Sequence, residues 1–130
     1  MGRSVNVLLL LILTTLLLGC GKNENNCTSI ERGVVTQVNG PDEIEYPSDI
    51  SFDVYLYANN GCGSFYRIEE SIDGNTIYVE MLVKYVGCIC THTLVNIDKE
   101  YVFKPASRGT YSFVFLNKYT DSITHEVTVN

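Results

Sequence analysis

The sequence predicts an antiparallel β-sandwich of about seven strands. Apolar residues recur with a period of two along several segments, and no segment holds a helical period over a useful length. Turn-forming runs of Asn, Asp, Gly and Pro separate these segments at short intervals. A chain of 130 residues has room for one such domain.

The strands are predicted from their alternation. Residues 49–58 and 75–86 each alternate between apolar positions and polar or tyrosine positions. Residues 109–116 are apolar on both faces, which predicts a central strand. Four further strands are predicted over residues 33–38, 64–71, 100–103 and 122–129.

Turn signals separate the predicted strands. They are Asn39-Gly40-Pro41, Asn59-Asn60-Gly61, Asp73-Gly74-Asn75, and the stretch between Pro105 and Gly109. Gly and Asn supply the backbone conformations that tight turns require, and Pro ends a strand by removing a hydrogen-bond donor.

Residues 1–19 predict a cleaved leader. Arg3 supplies a positive charge, and residues 7–18 are apolar apart from two threonines. This run is shorter than the ~20 residues that span a bilayer, so it indicates a signal-peptide core. It ends in Leu17-Leu18-Gly19-Cys20, which resembles the lipobox of bacterial lipoproteins. The resemblance implies cleavage before Cys20 and a lipid anchor, with acyl chains such as palmitate, on that cysteine.

The segment after Cys20 indicates where the anchored domain resides. Residues 20–26 form a lipidated cysteine and a flexible polar tether, and residues 27–130 form the domain. Gly21 replaces the aspartate that retains lipoproteins in the inner membrane. Lys22 followed by Glu24 resembles the charged export tag of surface lipoproteins in Bacteroidetes-type bacteria. We therefore expect an envelope protein on the outer membrane.

Two late segments carry a further resemblance. Tyr101-Val-Phe103-Lys-Pro105 followed by Gly109-Thr-Tyr111-Ser-Phe113 resembles the late strands of immunoglobulin-like domains, in which Gly-x-Tyr begins the penultimate strand. The domain therefore resembles the small immunoglobulin-like lipoproteins of Bacteroidetes-type bacteria. Such a resemblance implies an architecture and no particular activity.

The remaining cysteines predict two disulfides. With Cys20 assigned to lipid, the chain keeps an even set in an oxidising compartment: Cys27, Cys62, Cys88 and Cys90. A bond between Cys88 and Cys90 would close a tiny strained ring. Cys62 is therefore expected to pair with Cys88 or Cys90, and Cys27 with the other.

The same region suggests a rival hypothesis, a metal site. If Cys88, Cys90 and His92 lay on one strand, all three would point to one face, and thiolate with imidazole suits copper or zinc. Cys62 or His125 would complete the ligand set. We favour the disulfides, because zinc ligands are usually spaced as Cys-x₂-Cys, and we predict no metal and no cofactor. His125 is expected to be a half-buried structural histidine.

No catalytic residue is predicted, because the chain has no G-x-S-x-G, H-E-x-x-H or phosphate-loop motif. The net charge of −6 argues against nucleic-acid binding, which requires a positively charged surface. The chain is therefore expected to be a non-enzymatic lipoprotein with a binding or structural domain. Its expected partners are the membrane, through the lipid, and another envelope protein or a glycan.

Two candidate sites concern sugars. The chain has nine tyrosines and no tryptophan, and Tyr55, Tyr57 and Tyr78 fall on the polar faces of their strands. They are candidates for stacking on a glycan, the alternative being cross-strand packing. Asp121-Ser122-Ile123 matches the O-glycosylation pattern of Bacteroidetes-type bacteria, which makes Ser122 a candidate modification site in an exposed turn.

Overall fold

The computed structural model describes residues 26–130. The predicted signal peptide, the lipid-accepting Cys20 and the tether up to residue 25 lie outside the described residues. Within residues 26–130 there is no helix long and apolar enough to cross a membrane. This part of the chain forms nine strands: β1 Thr28–Arg32, β2 Val34–Asn39, β3 Glu43–Ile44, β4 Ile50–Ala58, β5 Gly63–Asp73, β6 Thr76–Val86, β7 Val95–Phe103, β8 Gly109–Leu116 and β9 Ile123–Val129.

The strands form two sheets. The larger sheet has six strands in the order β1-β6-β8-β9-β3, and β5 also pairs with β6. Along one side of β6, β8 pairs with Thr76 to Glu80 and β1 pairs with Leu82 to Val86. The long hairpin partner β5 occupies the other side of β6. The smaller sheet has three strands in the order β2-β4-β7.

The predicted β-sandwich is confirmed. The structure has two strands more than the predicted seven, because β1 and β3 are too short and too exposed to show alternation. Two pairings, β3 with β9 and β6 with β8, are parallel, whereas the sequence predicts an antiparallel sandwich. Between β6 and β8 the chain passes through β7 in the opposite sheet, and a crossover of this kind lets β8 return in the same direction as β6.

Aromatic rings fill the space between the sheets. Phe52 on β4 lies at the centre, with its ring centroid 4.7 Å from that of Phe113 and 5.3 Å from that of Phe115 on β8. All three side chains are fully buried. β8 lies between β6 and β9, which confirms that residues 109–116 form a central strand.

A tyrosine fixes the connection between β7 and β8. The Tyr111 hydroxyl donates to the Ser107 carbonyl at 2.8 Å and accepts from the Ser107 amide at 3.3 Å. This geometry resembles the tyrosine corner of immunoglobulin-like domains. Gly109 begins β8, the penultimate of the nine described strands, as the sequence resemblance implied.

Candidate functional site

Two disulfides close one end of the sandwich, which we call the stapled end and define as residues 26–29, 59–63 and 86–94. Cys27 is bonded to Cys88 with the Cα atoms 4.9 Å apart, and Cys62 to Cys90 with the Cα atoms 5.4 Å apart. This is one of the two pairing schemes that the sequence left open. The four cysteines thus tie β1, the β4–β5 loop and the β6–β7 loop together.

The segment from Cys88 to His92 is a loop, so the hypothesis that it is a strand is wrong. Gly87 ends β6 with a φ of +132°, which L-residues with a side chain rarely adopt. A Cβ at this position would also lie 2.9 Å from the Cys62 sulfur. Glycine is therefore required at position 87 for the two disulfides to approach each other.

The loop does not assemble the predicted metal ligands. The sulfurs of Cys88 and Cys90 are both in disulfides, so neither is the thiolate that a soft metal requires. His92 is exposed. Among residues 26–130, no group of three or more His, Cys, Asp or Glu side chains is placed to hold a metal ion.

His125 is a half-buried structural residue, as predicted. Its Nε2 atom lies 3.0 Å from the Pro41 carbonyl and 3.2 Å from a carboxylate oxygen of Asp42. The imidazole also packs edge-on against Phe52, with the ring centroids 5.3 Å apart. These contacts tie β9 to the loop before β3. They also give the Nε2 atom of His125 two polar partners.

The three candidate tyrosines do not form one surface. Tyr55 and Tyr57 lie on the outer face of the three-stranded sheet, whereas Tyr78 lies on the outer face of the six-stranded sheet. The period of two predicts that each tyrosine points away from the core. Only the sheet topology shows that β4 and β6 belong to different sheets, whose outer faces lie on opposite sides of the sandwich. Tyr78 therefore cannot act with the other two on a single ligand.

Tyr55 lines a surface depression of about 350 Å³. The residues opposite it in the sheet are Gln37 on β2 and Asp98 on β7. Asn96 contributes a second amide to the same depression. The arrangement places an exposed aromatic ring beside hydrogen-bonding groups of neutral and acidic character.

Ser122 is exposed and lies in the connection just before β9. This is the setting that its sequence predicted. The same connection contacts the stapled end, since the Asn59 side chain donates to the Tyr119 hydroxyl at 3.0 Å. It also contacts β1, because Lys118 forms an ion pair with Glu31.

The sequence reasoning missed a bond that joins the two sheets. The hydroxyl of Tyr101 on β7 donates to Glu70 on β5 at 2.6 Å. Burial of the phenol, followed by the hydrogen bond and the negative charge of Glu70, holds the pKa of Tyr101 far above its ordinary value. Period-two alternation predicts that Tyr101 points inward, but not that it meets β5.

Comparison with known proteins identifies the sandwich. The family model for the ORF11 beta-sandwich domain matches residues 52–129. The chain belongs to the ORF11 beta-sandwich family. The matched segment runs from β4 through β9 and includes three of the four disulfide cysteines, whereas Cys27 precedes it. No curated protein and no solved structure matches the chain.

Proposed function

We propose that the chain is an exported lipoprotein of a Bacteroidetes-type cell envelope, cleaved after residue 19 and anchored by lipid on Cys20. One observation carries the proposal. The two disulfides use Cys27, Cys62, Cys88 and Cys90, which leaves Cys20, at the end of a signal-like apolar run, for the lipid. Paired disulfides in a small domain also fit an oxidising compartment outside the cytoplasm.

The anchored domain works by contact rather than by catalysis. Its imidazoles support this assignment, because His125 is held by Pro41 and Asp42 while His92 is exposed on a loop. The buried tyrosines also have hydrogen-bond partners: Tyr101 bonds to Glu70 between the sheets, Tyr111 to Ser107 and Tyr85 to the Asn59 amide. The partner is another envelope protein or a glycan, and the outer membrane is the site of anchoring.

The anchor is tested by metabolic labelling with a palmitate analogue in a bacterium that processes lipoproteins. The wild-type chain takes up the label and sediments with membranes, whereas Cys20→Ser does neither. Cys27→Ser is the matched control, since it removes a nearby disulfide cysteine and leaves the lipobox intact, and it keeps the label. An unlabelled wild-type chain that is released in soluble form would refute the anchor.

A second candidate function, glycan binding, is favoured by the depression at Tyr55. An aromatic ring flanked by Gln37, Asn96 and Asp98 offers a stacking face together with hydrogen-bond donors and acceptors for sugar hydroxyls. Tyr57 is the next residue of β4 whose side chain points to the same outer face. The site is open, so it suits part of a longer chain better than a small enclosed sugar.

A glycan array probed with the whole protein tests this candidate. Binding that disappears in Tyr55→Ala and persists in Tyr78→Ala supports it, because Tyr78 lies on the opposite sheet. Binding that is equal in both variants, or absent from the wild type, counts against it.

A further inference from the structure

The most exposed large apolar side chain at the stapled end is Ile89. Its side chain is 96% exposed, and it lies between Cys88 and Cys90 in the loop that joins β6 to β7. A single exposed apolar residue is ordinary on a protein surface. Ile89 differs because both of its neighbours are covalently fixed.

Hydrogen bonds add to the covalent restraint on this loop. The Gly87 amide donates to the Cys27 carbonyl at 2.8 Å, and the Val86 amide donates to the Cys62 carbonyl at 3.2 Å. Further along the loop, the Gly61 amide donates to the Thr91 carbonyl at 3.0 Å. The loop is therefore ordered on both sides of Ile89, and contact does not have to order its backbone.

Other large apolar side chains are exposed at or next to the stapled end, among polar residues such as Thr91 and His92. Val86 and Leu94 are exposed by 58% and 56%, and Tyr119 on the adjoining connection is exposed by 65%. The stapled end contains no Asp, Glu, Lys or Arg, although these types make up 18% of the chain and give it a net charge of −6. This end can therefore approach an apolar or anionic surface without desolvating a charge.

The position of the anchor determines which surface this end meets. Cys27, bonded to Cys88, follows Cys20 by seven residues, which span at most about 25 Å when fully extended. β5 and β6 each have 11 residues, so their turn lies about 30 Å or more from the stapled end. A lipid on Cys20 therefore keeps the stapled end within about 25 Å of the bilayer, whereas the β5–β6 turn lies at the far end of the domain.

We propose that the stapled end is a membrane-contact surface in which Ile89, with Leu94 of the same loop, inserts at the boundary between headgroups and acyl chains. The proposal rests on the lipid anchor at Cys20 proposed above. One or two apolar side chains bind a bilayer only weakly on their own. The anchor overcomes this weakness by holding the loop at a high effective concentration near the surface. Contact at this end fixes the orientation of the domain and turns the face with Tyr55 sideways, away from the lipid.

Tryptophan fluorescence tests the contact directly, because the chain has no tryptophan of its own. Ile89→Trp and the control Ile72→Trp, which is 58% exposed near the β5–β6 turn, are prepared as full-length lipidated protein and reconstituted into phosphatidylcholine vesicles. Lipids brominated near the headgroup should quench roughly half of the emission from position 89, since an indole at that depth lies within reach of the bromines. Emission from position 72 stays unchanged.

A second measurement uses the unaltered loop, because an indole itself favours the interface. Amide hydrogen exchange in residues 86–94 of the lipidated wild type slows when vesicles are added, and exchange in residues 72–76 does not. If the protein floats with vesicles but position 89 is unquenched and exchange is unchanged, the contact is refuted while the anchor stands. Protection that appears only with native membranes, and not with lipid vesicles, overturns the lipid contact in favour of a protein partner. If the protein does not float with vesicles, the anchor fails and the contact fails with it.

Discussion

The two ends of the sandwich are ordered by different interactions. At the stapled end, two disulfides hold the loops and leave apolar side chains such as Ile89 facing outward. At the opposite end, which we call the hairpin end and define as residues 72–76 and 104–112, hydrogen bonds hold the chain. There the Asn75 side chain donates to the Thr110 carbonyl at 3.0 Å, and the Ser112 amide donates to the Asn75 carbonyl at 2.9 Å.

The difference shows what each end can do. The hairpin end follows its local sequence, since Gly74 at a φ of +61° permits a two-residue turn and Tyr111 completes the corner beside it. The stapled end needs residues that are distant in sequence and an oxidising compartment. An end that is held covalently can expose apolar surface without collapsing onto it, which is the property that a contact surface requires.

Loss of a disulfide has the largest expected effect on this comparison. Replacing both cysteines of the Cys27–Cys88 pair by alanine should lower the free energy of unfolding by about 4 kcal/mol, because that bond closes a loop with a sequence separation of 61. The Cys62–Cys90 pair, with a separation of 28, should cost slightly less. Urea unfolding followed by circular dichroism measures both. A loss below about 1 kcal/mol for either pair would show that packing alone orders the stapled end.

A smaller effect is expected at high pH from the bond between the sheets. The pKa of Tyr101 is raised in the folded chain above the ordinary value of 10.0 that it regains on unfolding. Its contribution to stability is therefore complete below about pH 10 and is lost above it, at up to about 1.4 kcal/mol per pH unit. Urea unfolding between about pH 9 and pH 11 should show a shallower fall for Tyr101→Phe than for wild type. Equal slopes would contradict the assignment.

The tyrosine hydroxyls at the two ends allow a matched comparison. Tyr111→Phe removes the three hydrogen bonds that the hydroxyl makes with the amide, hydroxyl and carbonyl of Ser107 at the hairpin end, and it should cost about 1–2 kcal/mol of unfolding free energy. Tyr85→Phe removes the bond from the Asn59 amide at the stapled end, where the neighbouring Cys62 disulfide also orders the loop. We expect the Tyr85 variant to lose less in the same urea titration. A larger loss of unfolding free energy for Tyr85→Phe than for Tyr111→Phe would mean that the Tyr111 hydroxyl does not stabilise the hairpin end.

The smallest expected effect is at Ile89. Ile89→Ser should change the free energy of unfolding by less than about 0.5 kcal/mol, because the side chain has almost no contacts to lose. Ile77→Val, at a fully buried position next to the hairpin turn, removes one methylene and should cost about 1 kcal/mol. Thermal or urea unfolding of the two variants measures the loss of unfolding free energy at an exposed and at a buried position. A larger loss at Ile89 than at Ile77 would give Ile89 a role in folding.

Most of the strands, and the start of β8 at Gly109, could be predicted from the sequence because their causes are local. Alternation in residues 49–58 and 75–86 reports which side chains face the core, and β4 and β6 begin within one residue of the predicted positions. Gly109 and Tyr111 likewise act over a few residues. The strand over residues 88–92 that the metal hypothesis required does not form, since the conformation there depends on Gly87 and on two distant cysteines.

By itself, the sequence determined the β-sandwich, the even set of four cysteines, the structural role of His125 and the exposure of Ser122. The tertiary structure alone decided the disulfide pairing, the separation of Tyr78 from Tyr55, the bond between Tyr101 and Glu70, and the exposure of Ile89. The physical reason is the sequence distance over which each interaction acts. Alternation and turn residues act between near neighbours, whereas pairing, opposite faces and loop presentation depend on which distant strands the two sheets bring together.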